Sequence, residues 1–207
     1  MKKLIFGISA FTLIMMSACN DADKSSKEND ATKTNADTTK NVKADDKQIV
    51  EVTSTFSNVD PKLSGSLKTV VDHYLHIKNA LINNDGKEAA DGGKAMDDAV
   101  TKIDKSLFTA EQKKVYDGIE DDLKEHAEHI GKNAGDIDHQ REHFSMMSED
   151  VYDLVKAFGT GQTLYHDHCP MANDSKGGMW LSEIKEAKNP YFGGKMNDCV
   201  KVMEVIK

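Results

Sequence analysis

No Ser-His-Asp order, zinc-protease helix or phosphate-binding loop is written into the chain, and Gly159-Thr160-Gly161 is too short to cradle a phosphate. These gaps argue against an enzyme. Positive charge is also in deficit: 27 Lys plus Arg stand against 35 Asp plus Glu, a net charge of -8 with neutral histidines. Such a balance speaks against a nucleic-acid partner, whose phosphates demand cations, and gives metal cations a mildly attractive field. Long apolar runs are missing beyond residue 16. The one run present, LIFGISAFTLIMM at 4–16, is shorter than the roughly 20 residues that a spanning helix needs. Cysteine is scarce, at positions 19, 169 and 199 only.

What is there begins with a leader. Lys2 and Lys3 precede the apolar run, and Ser17-Ala18 precede Cys19, the layout of a cleavable export signal. The cysteine placed there resembles a bacterial lipoprotein signal, which implies lipidation of Cys19 after removal of residues 1–18. Met16 stands where such signals usually carry Leu. An ordinary secretory signal is the alternative. Without Lys2 and Lys3 the balance becomes 25 basic against 35 acidic residues, or -10. Residues 19–48 hold one aliphatic side chain larger than alanine, Val42, among mixed charges. That composition cannot bury enough apolar surface to offset ordering, so it reads as a tether. The expected location is the cell envelope, on the periplasmic or surface side, with the membrane held through the lipid.

The folded domain is expected at 49–207, mainly α. IVEVTSTF at 49–56 has a strand-like composition that Pro61 interrupts. Leu63, Leu67, Val70, Val71, Tyr74, Ile77, Lys78 and Leu81 share one side of a first helix ending near 83–86. A second, over about 87–105, carries small residues suited to close packing, although Gly92 and Gly93 each cost up to about 1 kcal/mol if helical. A third begins at Thr109, with Gln112 placed for a capping box, and buries Val115, Ile119, Leu123, Ala127 and Ile130. A fourth runs from Asp136 or Asp138 to Phe158, with Gly159 just past its end. Short connections make this an up-and-down four-helix bundle. The C-terminal segment is irregular, with strand-like fragments near Leu164, a turn-rich NDSKGG and a short element near 180–187, packed against the bundle.

All eight histidines fall within this domain. His73 and His76 aim away from the first helix's apolar stripe and read as surface. His126 and His129, three apart, sit beside and at the edge of the third stripe. His139 and His143, four apart, open the fourth helix, with Met146 further along. A short antiparallel connection brings all four imidazoles to one end of the bundle. Imidazoles with a thioether form a set that borderline and soft ions accept; boundary packing is the plain alternative.

YHDHCPMA at 165–172 concentrates further donors. In a strand His166 and His168 point one way and Cys169 the other, until Pro170 ends the strand. Met196 and Cys199 lie three apart near the C-terminus. Cys169, Met171, Met196 and Cys199, with His166 or His168, form a set that selects Cu(I) and similar ions, with histidine widening the range to Cu(II) and Zn(II). The competing reading is a Cys169–Cys199 disulfide, contributing about 3.6 kcal/mol by loop entropy. Both claim the same sulfur atoms. Trp180 and Leu181 are expected to seal the tail against the bundle, and Asn189-Pro190-Tyr191-Phe192-Gly193 to form an anchored tight turn.

HYLHIKNALINND at 73–85, DLKEHAEHI at 122–130, QREHFSMMSEDVYDLVKAFG at 140–159, YHDHCPMA at 165–172 and WLSEIKEAKNPYFGGKM at 180–196 together resemble a domain of unknown function. That domain stands alone or ends the adaptor subunits of Cus-type copper/silver efflux systems. Val200 departs from the resemblance, since glycine usually follows the last cysteine there. The resemblance implies heavy-metal handling in the periplasm without catalysis, and Cys169, Met171, Met196 and Cys199 occupy its motif positions. The expectation is a lipid-anchored protein that binds and delivers a copper-like ion, Cu(I) foremost, with silver or zinc as alternatives, and meets an efflux adaptor or another metal-handling protein. The rival expectation is a protein-interaction domain stapled by the disulfide.

Overall fold

The computed structural model describes residues 49–207; the expected leader, the tether and Cys19 lie outside the described residues. Helix α1 (Pro61–Ile82) starts where Asp60 Oδ1 accepts from Lys62 N and Leu63 N, with Pro61 at the first helical position, where a missing N–H costs nothing. It buries the stripe expected of it, from Leu63 to Leu81. Helix α2 (Gly86–Thr101) follows after a tight turn at Asn83–Asp85. Gly92 and Gly93 are buried within it. A β-carbon on Gly93 would lie 2.7 Å from Ala127 O, and one on Gly92 2.9 Å from Ile77 Cγ1. The residues that weaken this helix by propensity thus let it sit against its neighbours on both sides.

The expected third helix is two. Helix α3 (Ala110–Asp117) carries the capping box, with Thr109 N donating to Gln112 Oε1 and Gln112 N to Thr109 Oγ1. It ends at Gly118, and α4 (Glu120–Lys132) resumes after Ile119. The break shifts the buried face, so Tyr116 is enclosed and stacks on Phe108 at 4.7 Å, while Val115 is 37% exposed. Leu123, Ala127 and Ile130 are buried as expected. Helix α5 (Ile137–Phe158) closes the bundle and ends at Gly159, whose φ of +68° suits glycine. α1 packs on α2, α2 on α4, α4 on α5 and α5 back on α1. This is the mainly helical bundle of four major helices.

The C-terminal segment packs against it as a small open sheet of order β1-β4-β2-β3: β1 (Val50–Val52), β2 (Leu164–Cys169), β3 (Gly178–Ser182) and β4 (Lys201–Ile206). β1 pairs parallel with β4; β2 is antiparallel to both β3 and β4. The element expected at 180–187 begins and ends earlier, as β3, and β4 is not anticipated by the sequence pattern. Trp180 and Leu181 are fully buried. Tyr74 joins three elements: its hydroxyl accepts from Leu181 N and lies 2.9 Å from Ser148 Oγ, which in turn donates to Phe144 O. Arg141, the only arginine, donates to Pro190 O, Leu81 O and Asn84 Oδ1, fastening α5 to the α1–α2 turn and to the turn at Asn189–Gly193.

Candidate metal centre

The α4–α5 hairpin sets the centre. Asn133 Nδ2 donates to His129 O at the end of α4, and Asp136 Oδ1 accepts from His139 N at the start of α5. The two caps therefore sit on the backbones of two of the histidines whose rings meet. Gln140, fully buried, donates to Ile130 O and Gly86 O and pins the turn to α2. Across this hairpin His126 Nδ1 lies 3.1 Å from His143 Nδ1, and His129 Nδ1 lies 3.4 Å from His139 Nε2. The rings of His129 and His143 stack at 4.1 Å, with His139 edge-on to His143 at 4.6 Å. Ligating nitrogens of His129, His139 and His143 all fall within 4.8 Å of one another. The cluster could hold a metal ion.

Its electrostatics suit a cation. Burial, followed by the neighbouring His129, His139 and His126, pulls the His143 pKa down to about 4. Burial also lowers that of His126 against the pull of Glu125 and Asp122. Neutral imidazoles present lone pairs, which a metal requires. Carboxylates flank them: Asp150 Oδ2 is 3.9 Å from His126 Nε2 and Glu142 Oε2 is 3.6 Å from His139 Nδ1. Burial, with Asp122, Asp153 and Glu149 adding to it, raises Asp150 to about 7. Asp150 had not been singled out in the sequence; its place seven residues after His143, two turns along one face, was the available signal.

The remaining candidates are divided among three places. Met146, 40% exposed, lines an open groove of about 690 Å³ with Met171, Glu142 and Tyr191. Cys169 is buried and Cys199 half-buried, and Cys169 is near enough to perturb the Cys199 thiol. Both are free thiols, so the staple weighed as the alternative is not formed. Burial, then Cys169, raises the Cys199 pKa. Cys199 Sγ donates to the carbonyl of Met196 at 2.9 Å, while the Met196 side chain is 42% exposed. The tail thus brings the two thiols together and gives Met171 to the other groove. His166 and His168 occupy the opposite face of β2 from Cys169, as strand alternation dictates. There His166 Nε2 meets Met179 Sδ at 3.2 Å, a partner that the sequence reading passed over because strand register was not legible. His76 binds Glu88 on the surface.

These features define a helical-bundle domain with a histidine-rich candidate metal centre and no helix, among the described residues, long and apolar enough to cross a membrane. Over residues 70–163, which include the whole four-histidine cluster, the chain matches the family described as a protein of unknown function (DUF3347). No curated protein and no solved structure matches it.

Proposed function

We propose that the protein is a non-catalytic, extracytoplasmic binder of a copper-like heavy-metal ion that captures the ion and hands it to a partner. The observation that carries this is the convergence of His129, His139 and His143, with His126 against them, across one helical hairpin. Three imidazoles suit Cu(II), Zn(II) and, with softer donors close by, Cu(I) or Ag(I). The thiols of Cys169 and Cys199, with Met196 exposed beside Cys199 and Met171 exposed in the groove that Met146 lines, supply softer donors through which the same ions pass. Exposed thioethers favour exchange over permanent storage. The match to a family without assigned activity, and the resemblance to domains that end Cus-type efflux adaptors, support a metal-handling partner. Lipidation at Cys19 and a tether over 19–48 would hold the domain near the membrane where such a partner works.

The test is titration of the purified chain with Cu(I), Cu(II), Ag(I) and Zn(II) against competing chelators. Affinity tighter than about 1 μM, near -8.2 kcal/mol, is expected for at least one ion. His139→Ala with His143→Ala weakens Cu(II) or Zn(II) by tenfold or more, since removal even of outer-shell partners costs about 10–100-fold. Affinity falls as pH drops through about 4, where His143 takes up a proton and loses its lone pair. Micromolar or weaker binding of every ion, or full affinity in the double variant, refutes the cluster as the capture site.

A further inference from the structure

We propose that His166 and Met179, completed by His168, form a second metal site, specific for soft monovalent ions of the Cu(I) and Ag(I) class, on the sheet face that meets α5. It stands on the geometry of the sheet and not on the histidine cluster of the hairpin.

The register of β2 against β3 sets His168 opposite Met179 and His166 opposite Leu181, so Met179 is the direct neighbour of one imidazole and the diagonal neighbour of the other. The thioether takes the diagonal and ends 3.2 Å from His166 Nε2. The other ring nitrogen, Nδ1, is buried without a hydrogen-bond partner among the described residues and has Glu204 Oε2 at 3.7 Å. That carboxylate is held in place from behind: Tyr152 OH donates to it at 2.6 Å, and Lys156 Nζ donates to the Tyr152 oxygen at 3.0 Å. The Tyr152 ring lies 4.3 Å from the imidazole and fixes its plane.

A carboxylate 3.7 Å from Nδ1 favours the tautomer with the proton there, the arrangement of carboxylate–histidine–metal triads. Nε2 then carries a lone pair, and so does the sulfur it faces. In that tautomer two acceptors are in contact and repel unless a cation joins them; in the other, Nε2 donates to the sulfur. Imidazole with thioether is a donor pair suited to soft d10 ions and poor for hard ones.

An approach route is present. His168 and Met179 both line an open cavity of about 400 Å³, with Ser145 and Glu149 from α5 on its far wall. Gly177, at φ +93°, keeps that route open, since a β-carbon there would come within 2.9 Å of His168 Nε2. Two imidazoles two residues apart on a strand face the same side, so His168 can close on an ion already held by its neighbours.

The deciding measurement is a proton–carbon correlation spectrum of the full chain with methionine methyls labelled, titrated with Ag(I). Met179→Leu, which keeps the side-chain volume, identifies the Met179 methyl by its disappearance. The Met179 methyl and the His166 ring resonances are expected to shift together and saturate together. They do so also in the chain carrying His139→Ala and His143→Ala, which separates this site from the hairpin cluster. Glu204→Gln weakens Ag(I) here by about tenfold with the other methyl shifts unchanged, and Met179→Leu lowers the bound silver by one ion per chain. A Met179 methyl that stays still while Ag(I) saturates the thiols overturns the proposal, as does an unchanged silver count in Met179→Leu.

Discussion

Asp167 stands between two histidines and does the opposite of what they do. Its side chain turns to the other face of β2, where both oxygens are buried without a hydrogen-bond partner among the described residues. Burial raises its pKa to about 7, with Lys78 pulling the other way. In the unfolded chain an aspartate titrates near 3.9, so the native state holds the extra proton between about 4 and 7. The stabilising contribution is complete at the acid end and is lost as pH rises through that window. Asp167→Asn should therefore gain on the wild type progressively from about pH 4 to pH 7 and hold a constant difference above it. Urea unfolding in chelator across that range checks it, and a difference independent of pH contradicts it. The HxH spacing made the common aim of His166 and His168 legible. The sequence could not reveal that the intervening aspartate enters a dry interior, or that Met179 meets His166, because both depend on how distant strands pair.

At the scale of the element, glycines separate propensity from packing. Gly65 lies within α1 with open space around the position of a β-carbon, so Gly65→Ala should stabilise the chain by about 0.5–1 kcal/mol. Gly93 faces Ala127 O at 2.7 Å and Gly131 N at 2.8 Å. The same substitution there gains helix propensity but forces α2 away from α4, for a net destabilisation on the order of 1–3 kcal/mol. Denaturant midpoints of the two variants should move in opposite directions, and movement in the same direction would refute the packing argument. Thr109→Ala, which removes half of the capping box, is expected to cost about 1 kcal/mol. That cap was readable from four residues, as were the stripes of α1 and α5. The division of α3 from α4 was not: the apolar spacing from Val115 to Ile130 fits one continuous helix. Only the enclosure of Tyr116 by Phe108, a tertiary event, changes the phase.

For the whole molecule, the hairpin cluster links metal to stability. An ion bound only by the native state adds about 2.7 kcal/mol at a free concentration 100 times Kd. For a domain of this size that corresponds to a rise in Tm of roughly 5–10 °C. Scanning calorimetry with Zn(II) or Cu(II) should show it in the wild type and lose it in the triple variant His129→Ala, His139→Ala, His143→Ala; equal shifts in both would place the ion elsewhere. The bundle was legible because each helix announces itself locally. The sheet was not, because β1 and β4 pair from opposite ends of the domain and neither strand is long enough to declare a partner. For the same reason the two free thiols near each other were within reach of sequence reasoning only as one of two alternatives.

The contact of α2 with α4 is made largely by what is missing: Gly93 lies against the backbone at Ala127, and Gly131 against that of Lys94. A joint built from bare main chain is indifferent to the chemistry on the far side of the helix. Positions 129 and 139 are not used by that joint. Exchanging their imidazoles for carboxylates would turn the same scaffold toward hard, oxygen-seeking cations, with its architecture untouched.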